Sequence, residues 1–451
     1  MIIVMTTSFL APFMSSSINV AVPAIGAEFQ GGAHLMSWVV SSYILATAAV
    51  LLPLGRLADI LGRKKVFISG VLLFGCFSAL CGMAQAAEWL IGLRIMQGIG
   101  ASMIFATNTA ILTSVFPPQR RGRALGLSAA ATYISLSVGP ALGGFITHHL
   151  GWRMIFFFPF PLSLAIAAFT AAFLKGEWRG APGERFDFGG SVLYMSGLVG
   201  VLWGLSSFAV SAWGRWALFA GVLLLGLFMW YETRVVHPMF DVRLFLGNPV
   251  FAFSNLAAMI NYSATAGLGF IISLHLQVVL GLSADRAGLI LLAQPLVMAI
   301  FSPQAGALSD RLQPRAVASS GMAVTTGGLL LFSMLQTGTP LWVIAAELAV
   351  VGFGFALFAS PNNNAIMSAV EPRQYGVASS ALATMRMSGQ AISMAIVTLI
   401  ISAYIGEEKL GPANIPALIL TARTAFAVFA ALCALGIAAS LARGRMERSH
   451  I

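Results

Sequence analysis

The chain has 451 residues, of which 58% are hydrophobic and only 9% are charged, and its formal net charge is +10. Soluble domains carry about 25% charged residues, so this composition excludes a water-soluble protein and predicts an all-α integral membrane protein. The basic residues stand singly between apolar runs. That pattern orients membrane helices and argues against a nucleic-acid-binding surface.

Apolar runs long enough to cross a bilayer, about 20 residues each, follow one another along the chain. The fourteen predicted spans are 5–25, 36–55, 66–86, 89–113, 124–148, 154–174, 188–208, 216–232, 250–275, 286–306, 315–336, 341–364, 376–403 and 420–441. No basic segment precedes the first run, which is therefore expected to remain as a helix. Most lysines and arginines fall in alternate loops, which predicts that both termini are cytoplasmic.

A charged turn occurs twice, each time between two apolar runs. The residues that define its two copies are Gly55, Asp59, Gly62, Arg63 and Lys64 before span 3, and Asp310 and Arg311 before span 11. A second repeated pair, Arg120-Arg121-Gly122 and Arg373-Gln374-Tyr375-Gly376, opens spans 5 and 13. The repeats predict a six-helix bundle over 1–175, a two-helix insertion with linkers over 176–249, and a second six-helix bundle over 250–451.

Further motifs lie in spans 1, 4 and 5 and before span 6. Span 1 contains Asn19-Val20-Ala21-Val22-Pro23, and span 4 contains Leu90, Arg94, Gln97, Gly98 and Gly100. Span 5 contains Gly139-Pro140-Ala141-Leu142-Gly143-Gly144, and Gly151-Trp152-Arg153 precedes span 6. With the charged turn, they make the chain resemble the major facilitator superfamily, specifically its fourteen-helix drug–proton antiporter branch. The resemblance implies two pseudo-symmetric six-helix bundles around one central cavity, plus two inserted helices.

The resemblance also implies roles for individual residues. The charged turn would be a cytoplasmic latch between the bundles, and Arg94 would take part in proton coupling. Gly139, Pro140, Gly143 and Gly144 would form the segment that the family associates with export. Each has a simpler alternative: a solvated loop for the turn, snorkelling to the interface for Arg94, and a seam of small residues for the glycines.

One departure from the family concerns span 1. Drug-exporting relatives place an aspartate at the position that Met14 occupies here, and no acid is present elsewhere in the span. A cavity without that charge should hold a cationic drug less well and lacks one proton carrier.

Two charged residues within the later spans suggest a replacement. Glu347 in span 12 and Arg386 in span 13 are expected at a similar depth. Our hypothesis is that they form a proton- or substrate-sensitive pair, because an intramembrane charge usually marks a functional site. The alternatives are a structural ion pair and a glutamate that reaches the interface.

Several polar or flexible residues are candidates for lining the cavity. They are Met14, Ser15, Asn19, Gln97, Asn261 and His275. The sequence shows neither a catalytic set of nucleophile, base and acid nor a cluster of metal ligands, so we expect neither an enzyme nor a metal site.

Together these features predict a secondary active transporter in the bacterial cytoplasmic membrane, a monomer with no cofactor beyond a proton gradient. The favoured function is proton-coupled efflux of small amphipathic or toxic compounds by alternating access. Two alternatives stay open: a lipid or neutral-metabolite translocator, and a non-transporting membrane sensor.

Overall fold

The structure is a computed structural model, and it describes residues 2–209, 211–240, 242–371, 374–406, 408 and 414–444. Arg373, which belongs to the second repeated pair, lies outside the described residues. The helices in chain order are α1 (Ile2–Phe29), α2 (Ala33–Leu61), α3 (Arg63–Gly82), α4 (Ala87–Val115), α5 (Pro118–Leu150), α6 (Arg153–Phe157), α7 (Pro159–Phe173), α8 (Phe188–Ser206), α9 (Ala212–Glu232), α10 (Val242–Gly247), α11 (Pro249–Thr265), α12 (Leu268–Leu274), a π-helical turn (His275–Val279), α13 (Ala284–Leu291), α14 (Ala293–Arg311), α15 (Pro314–Phe332), α16 (Leu341–Ser368), α17 (Tyr375–Tyr404) and α18 (Ile415–Ala442).

The helices form fourteen membrane-crossing units in the described part of the chain. Thirteen are long and apolar enough to span a bilayer, and three of these consist of consecutive helices: α6 with α7, α11 with α12 and the π-helical turn, and α13 with α14. The fourteenth, α15, contains more glycine, serine and threonine, but it packs between α16 and α18 within the second half of the molecule. The predicted all-α architecture is confirmed.

The same close helix packing occurs in both halves. Gly100 brings α4 so near α3 that an added Cβ would stand 2.6 Å from the backbone nitrogen of Phe74. Gly354 does the same for α16 and α15, with its Cβ 2.6 Å from the backbone nitrogen of Thr325. Small residues let membrane helices approach closely. The same glycine-mediated contact therefore recurs at corresponding places in the two halves.

The inserted helices α8 and α9 pack against each other beside α2 and α17. The hydroxyl of Tyr194 in α8 donates to the carbonyl oxygen of Ala48 in α2 at 3.1 Å, and this hydrogen bond joins the insertion to the first half. Trp213, Trp216 and Phe219 of α9 are exposed. This apolar surface suits contact with lipid.

An even number of crossings places the start of α1 and the end of α18 at one face of the molecule, here called the terminal face. Among the described residues, hydrogen bonds that join the first six spans to the last six lie toward the opposite face. They link Ala33 to Glu408, His34 to Ser402, Ser41 to Thr398, and Gln277 to Val20. The halves are therefore fastened to each other at the opposite face.

Candidate substrate cavity and coupling residues

Two adjoining cavities of about 170 Å³ each lie between the halves at the middle of the bundle. Both are lined by Ser15 of α1, Tyr262 of α11, Phe355 of α16 and Gln390 of α17. The two therefore form one continuous site with contributions from both halves. A central site between two repeats is where secondary transporters hold their substrates.

The lining combines apolar and aromatic surface with a few polar groups. Asn19, Gln294 and Gln390 supply amides, and Tyr133 and Asn363 lie on the side nearer Arg386. Among the lining residues that the structure describes, Arg386 carries a charge and no carboxylate is present. The charge of this part of the cavity is therefore positive.

Arg386 of α17 lines one of the two adjoining cavities. Its Nε atom is buried without a hydrogen-bond partner. The guanidinium lies close enough to the hydroxyls of Tyr133 and Tyr262 to interact with them electrostatically. The Tyr262 hydroxyl is also a hydrogen-bond partner of the guanidinium. The Nε donor of Arg386 stays available.

Arg94 is fully buried in the first half rather than at the interface with lipid headgroups. Its Nε donates to the carbonyl oxygen of Val39 at 3.1 Å, and its Nη1 donates to the side-chain oxygen of Gln97 at 2.7 Å. The guanidinium carbon stands 4.2 Å from the centre of the Tyr43 ring. The snorkelling alternative is therefore wrong, and Arg94 is held behind Tyr43, which itself lines the cavity.

The glycines of α5 serve two different contacts. Gly139 and Gly143 lie against α1, where the hydroxyl of Ser17 donates to the carbonyl oxygen of Gly139 at 2.9 Å. Pro140 and Gly144 face α13 of the second half, and Pro140 also lines the cavity. The segment thus joins α1, the cavity and the contact between the halves.

The charged turn between α2 and α3 is fastened to its own half. Arg63 Nε donates to the Asp59 carboxylate at 2.8 Å, and Arg63 Nη1 donates to the hydroxyl of Ser114 in α4 at 2.8 Å. Gly62 has a φ of +128°, which side chains rarely adopt, and an added Cβ would overlap the Glu177 carboxyl group. The turn therefore requires glycine at this position.

The linker after α7 covers this turn. The backbone N–H of Lys64 donates to the Glu177 carboxylate at 2.8 Å, and Gly55 faces Ala106 of α4. In the second copy Arg311 is the last residue of α14, and the side chain of Asp310 lies outside the described residues. A latch that joins the two halves stays a prediction.

The family model of the Major Facilitator Superfamily matches residues 4–254 and 251–450 of the chain. The chain belongs to this superfamily. Among its relatives, the riboflavin transporter RibZ of Clostridioides difficile is 28% identical over 440 residues, which cover 97% of this chain and 95% of RibZ. The cephamycin export protein CmcT of Amycolatopsis lactamdurans is 32% identical over 405 residues, which cover 88% of this chain and 83% of CmcT.

Solved structures agree with the superfamily fold. A bacterial homologue of the human lysosomal transporter Spinster, in its inward-facing and unoccupied conformation, superposes with a TM-score of 0.71. The match covers 99% of this chain and 98% of that chain at 16% sequence identity, so it concerns the fold alone. The curated relatives named above are transport and export proteins rather than enzymes.

Glu347 and Arg386 form no ion pair in the described part of the molecule. Glu347 is half-buried in α16 about two turns, or roughly 12 Å of helical rise, before the cavity-lining Phe355. One of its carboxylate oxygens is buried without a hydrogen-bond partner. The predicted pair is not formed in this conformation, and the coupling role of both residues stays a prediction.

The predicted lining residues divide into two groups. Ser15 and Asn19 line the cavity. Met14 and Gln97 are fully buried in the packing of the first half, and Asn261 and His275 are buried in the second half. None of these four is among the residues that line the two cavities, and their part in the site stays a prediction.

Arg443 lies just after the last predicted span, 420–441, and was not among the predicted site residues. This residue is 2% exposed at the end of α18, and its guanidinium donates to the Asn362 side-chain oxygen at 3.0 Å and to the Ser254 hydroxyl at 3.2 Å. Arg443 therefore connects α18 with α11 and α16 at the terminal face. The sequence offered one signal for this contact, because Asn362 is a polar residue within an apolar span.

Proposed function

We propose that this protein is a secondary active transporter that exports small amphipathic compounds across the bacterial cytoplasmic membrane by alternating access. The observation that carries the proposal is a central cavity between two halves that are fastened at one face. Such a site can be exposed to each side in turn when the halves rock against each other. In our proposal the terminal face is cytoplasmic, and the structure corresponds to the state that loads substrate from inside.

A proton gradient is the proposed energy source. Arg94 and Glu347 are candidate coupling residues because both hold charge inside the membrane, where it is costly unless it serves a function. Neither residue lines the cavity. Coupling through them would therefore act on the position of the helices rather than by direct contact with the substrate.

Reconstitution of the purified protein into liposomes tests this function. Riboflavin and a cephamycin are reasonable first substrates because relatives of this chain are named as transporters of these compounds. We expect uptake into the lumen to follow an imposed pH gradient, acid inside, and to stop when nigericin collapses the gradient. Transport that is indifferent to the gradient would contradict proton coupling.

A lipid or neutral-metabolite translocator is the second candidate. It is favoured by the apolar part of the cavity lining and by the lack of a carboxylate among its described residues. A fluorescent phospholipid in the same liposomes separates the two: rapid movement between leaflets with no export of soluble compounds would support the second candidate. A protein that moves neither class would instead fit the non-transporting sensor.

A further inference from the structure

The charge in the cavity indicates which substrates the transporter takes. Arg386 lines the cavity, and its Nε atom is buried without a hydrogen-bond partner. No described carboxylate forms an ion pair with it. Arg386 itself is half-buried. A cation inside a membrane protein is unfavourable when no counter-ion accompanies it. We therefore expect an acidic group of the ligand to supply the counter-ion of Arg386.

The surroundings of Arg386 define the rest of that ligand. The rings of Tyr133, Tyr262 and Phe355 form aromatic walls, and the amides of Asn363 and Gln390 lie between them. Aromatic side chains favour a flat ring system, while the amides and the guanidinium can orient its polar edge. An aliphatic cation would find aromatic faces here but would meet the positive charge of Arg386.

We propose that the cavity binds aromatic organic anions, with the carboxylate or another acidic group of the substrate paired to the Arg386 guanidinium. This assignment rests on the proposed transport function and adds the substrate class. A planar guanidinium with several N–H donors is suited to a carboxylate, which it can engage through two parallel hydrogen bonds. Cationic drugs are excluded from the same position by like charge.

Three anthracene probes that differ in charge test the assignment. The protein is placed in nanodiscs of phosphatidylcholine, and binding of anthracene-9-carboxylate, anthracene-9-carboxamide and the cationic 9-(methylaminomethyl)anthracene is followed by fluorescence. We expect the carboxylate to bind about tenfold more tightly than the neutral amide, the difference that one charge-assisted hydrogen bond provides. The cation should bind most weakly.

Variants then test whether Arg386 is responsible for the preference for the anionic probe. Arg386→Gln should abolish the tenfold difference, while Arg386→Lys should keep part of it because the positive charge remains. Arg215→Gln removes the same charge from an exposed position outside the cavity and should leave the preference unchanged. Thermal unfolding of each variant establishes that it is folded.

Four results would overturn the proposal: no binding of the carboxylate by folded wild-type protein, equal binding of all three probes, tighter binding of the cation, or an anion preference that survives Arg386→Gln. Nanodiscs that contain phosphatidylglycerol test whether a lipid phosphate competes for the site. If it abolishes carboxylate binding, a lipid phosphate rather than a soluble aromatic anion occupies the site. Gradient-driven export of the cationic probe would contradict the assignment of anionic substrates but would still support the proposed transport function.

Discussion

Gly288 of α13 lies directly against the backbone carbonyl oxygen of Pro140 in α5, with no space for a Cβ atom between the two helices. About one turn away, Gly144 of α5 meets the backbone of Ala284 in α13 in the same way. The two glycines belong to different halves of the molecule. Closure of the opposite face therefore depends on small residues contributed by both halves.

Gly288→Ala should disfavour this closed contact, because a methyl group would overlap the carbonyl of Pro140. Overpacking of this kind costs about 1–3 kcal/mol, which would shift the balance between conformations roughly 5- to 150-fold. We expect slower transport and a longer distance between spin labels at Leu150 and Gly338, measured after the exposed Cys76 is replaced by serine. Gly327→Ala is the matched control.

The control is informative because nothing lies within 4 Å of a Cβ at Gly327. A methyl group there should change neither the label distance nor the transport rate. If Gly288→Ala behaves like this control, the glycine contact does not determine closure of the opposite face.

Gly62→Ala should destabilise the charged turn for two separable reasons. The φ of +128° is strained for alanine, and the added Cβ would overlap Glu177. We expect a loss of about 1 kcal/mol or more, seen as a lower midpoint of thermal unfolding. In a Glu177→Ala background the overlap is gone but the strain remains, so part of the loss should persist. Full recovery in the double variant would show that strain at Gly62 is unimportant.

Helix positions and the internal repeat could be predicted because they depend on local composition. Runs of apolar residues define spans whatever their neighbours are, and the glycines that permit close packing recur in the repeat, as Gly100 and Gly354 show. The direction in which a side chain points is a different matter. Adjacent residues on a helix differ by about 100°, so Ser15 lines the cavity while Met14 is buried beside it.

Contacts between distant segments were not predictable from spacing either. Glu347 and Arg386 were expected at a similar depth, but they differ in their distance from the opposite face. Glu347 follows the start of α16 by about two turns, whereas Arg386 precedes the end of α17 by about five turns. Arg443 forms hydrogen bonds with Ser254 and Asn362, which are far from it in the sequence. Only the packed bundle brings these side chains together.

Arg94→Ala should destabilise the first half of the molecule. The substitution leaves the Val39 carbonyl and the Gln97 side chain without the donor that satisfies them in a buried site. Loss of such hydrogen bonds to a charged group costs about 1.5–3 kcal/mol. Thermal unfolding in detergent measures the effect, and Arg423→Ala at an exposed position is the control. Equal midpoints for the two variants would mean that the buried contacts of Arg94 contribute nothing to stability.

Glu347→Gln should alter the pH dependence of transport while leaving substrate affinity unchanged. The residue is half-buried in the membrane with one oxygen unpartnered, yet it does not line the cavity. A role in proton transfer predicts a rate that no longer responds to an imposed pH gradient. Glu88→Gln removes an exposed carboxylate near the same face and should behave as wild type. An unchanged gradient response in Glu347→Gln would remove this residue from the coupling mechanism.

Ser15→Asp and Met14→Asp should have opposite consequences although the two positions are adjacent. Ser15 lines the same cavity as Arg386, so an aspartate there adds a carboxylate that can offset the guanidinium charge and admit cations. Met14 is fully buried, so an aspartate there would be an unpaired charge in packed apolar surroundings. We expect Ser15→Asp to gain transport of a cationic dye, measured in liposomes, and Met14→Asp to lose folded protein. Cation transport by a folded Met14→Asp variant would contradict the orientation of α1.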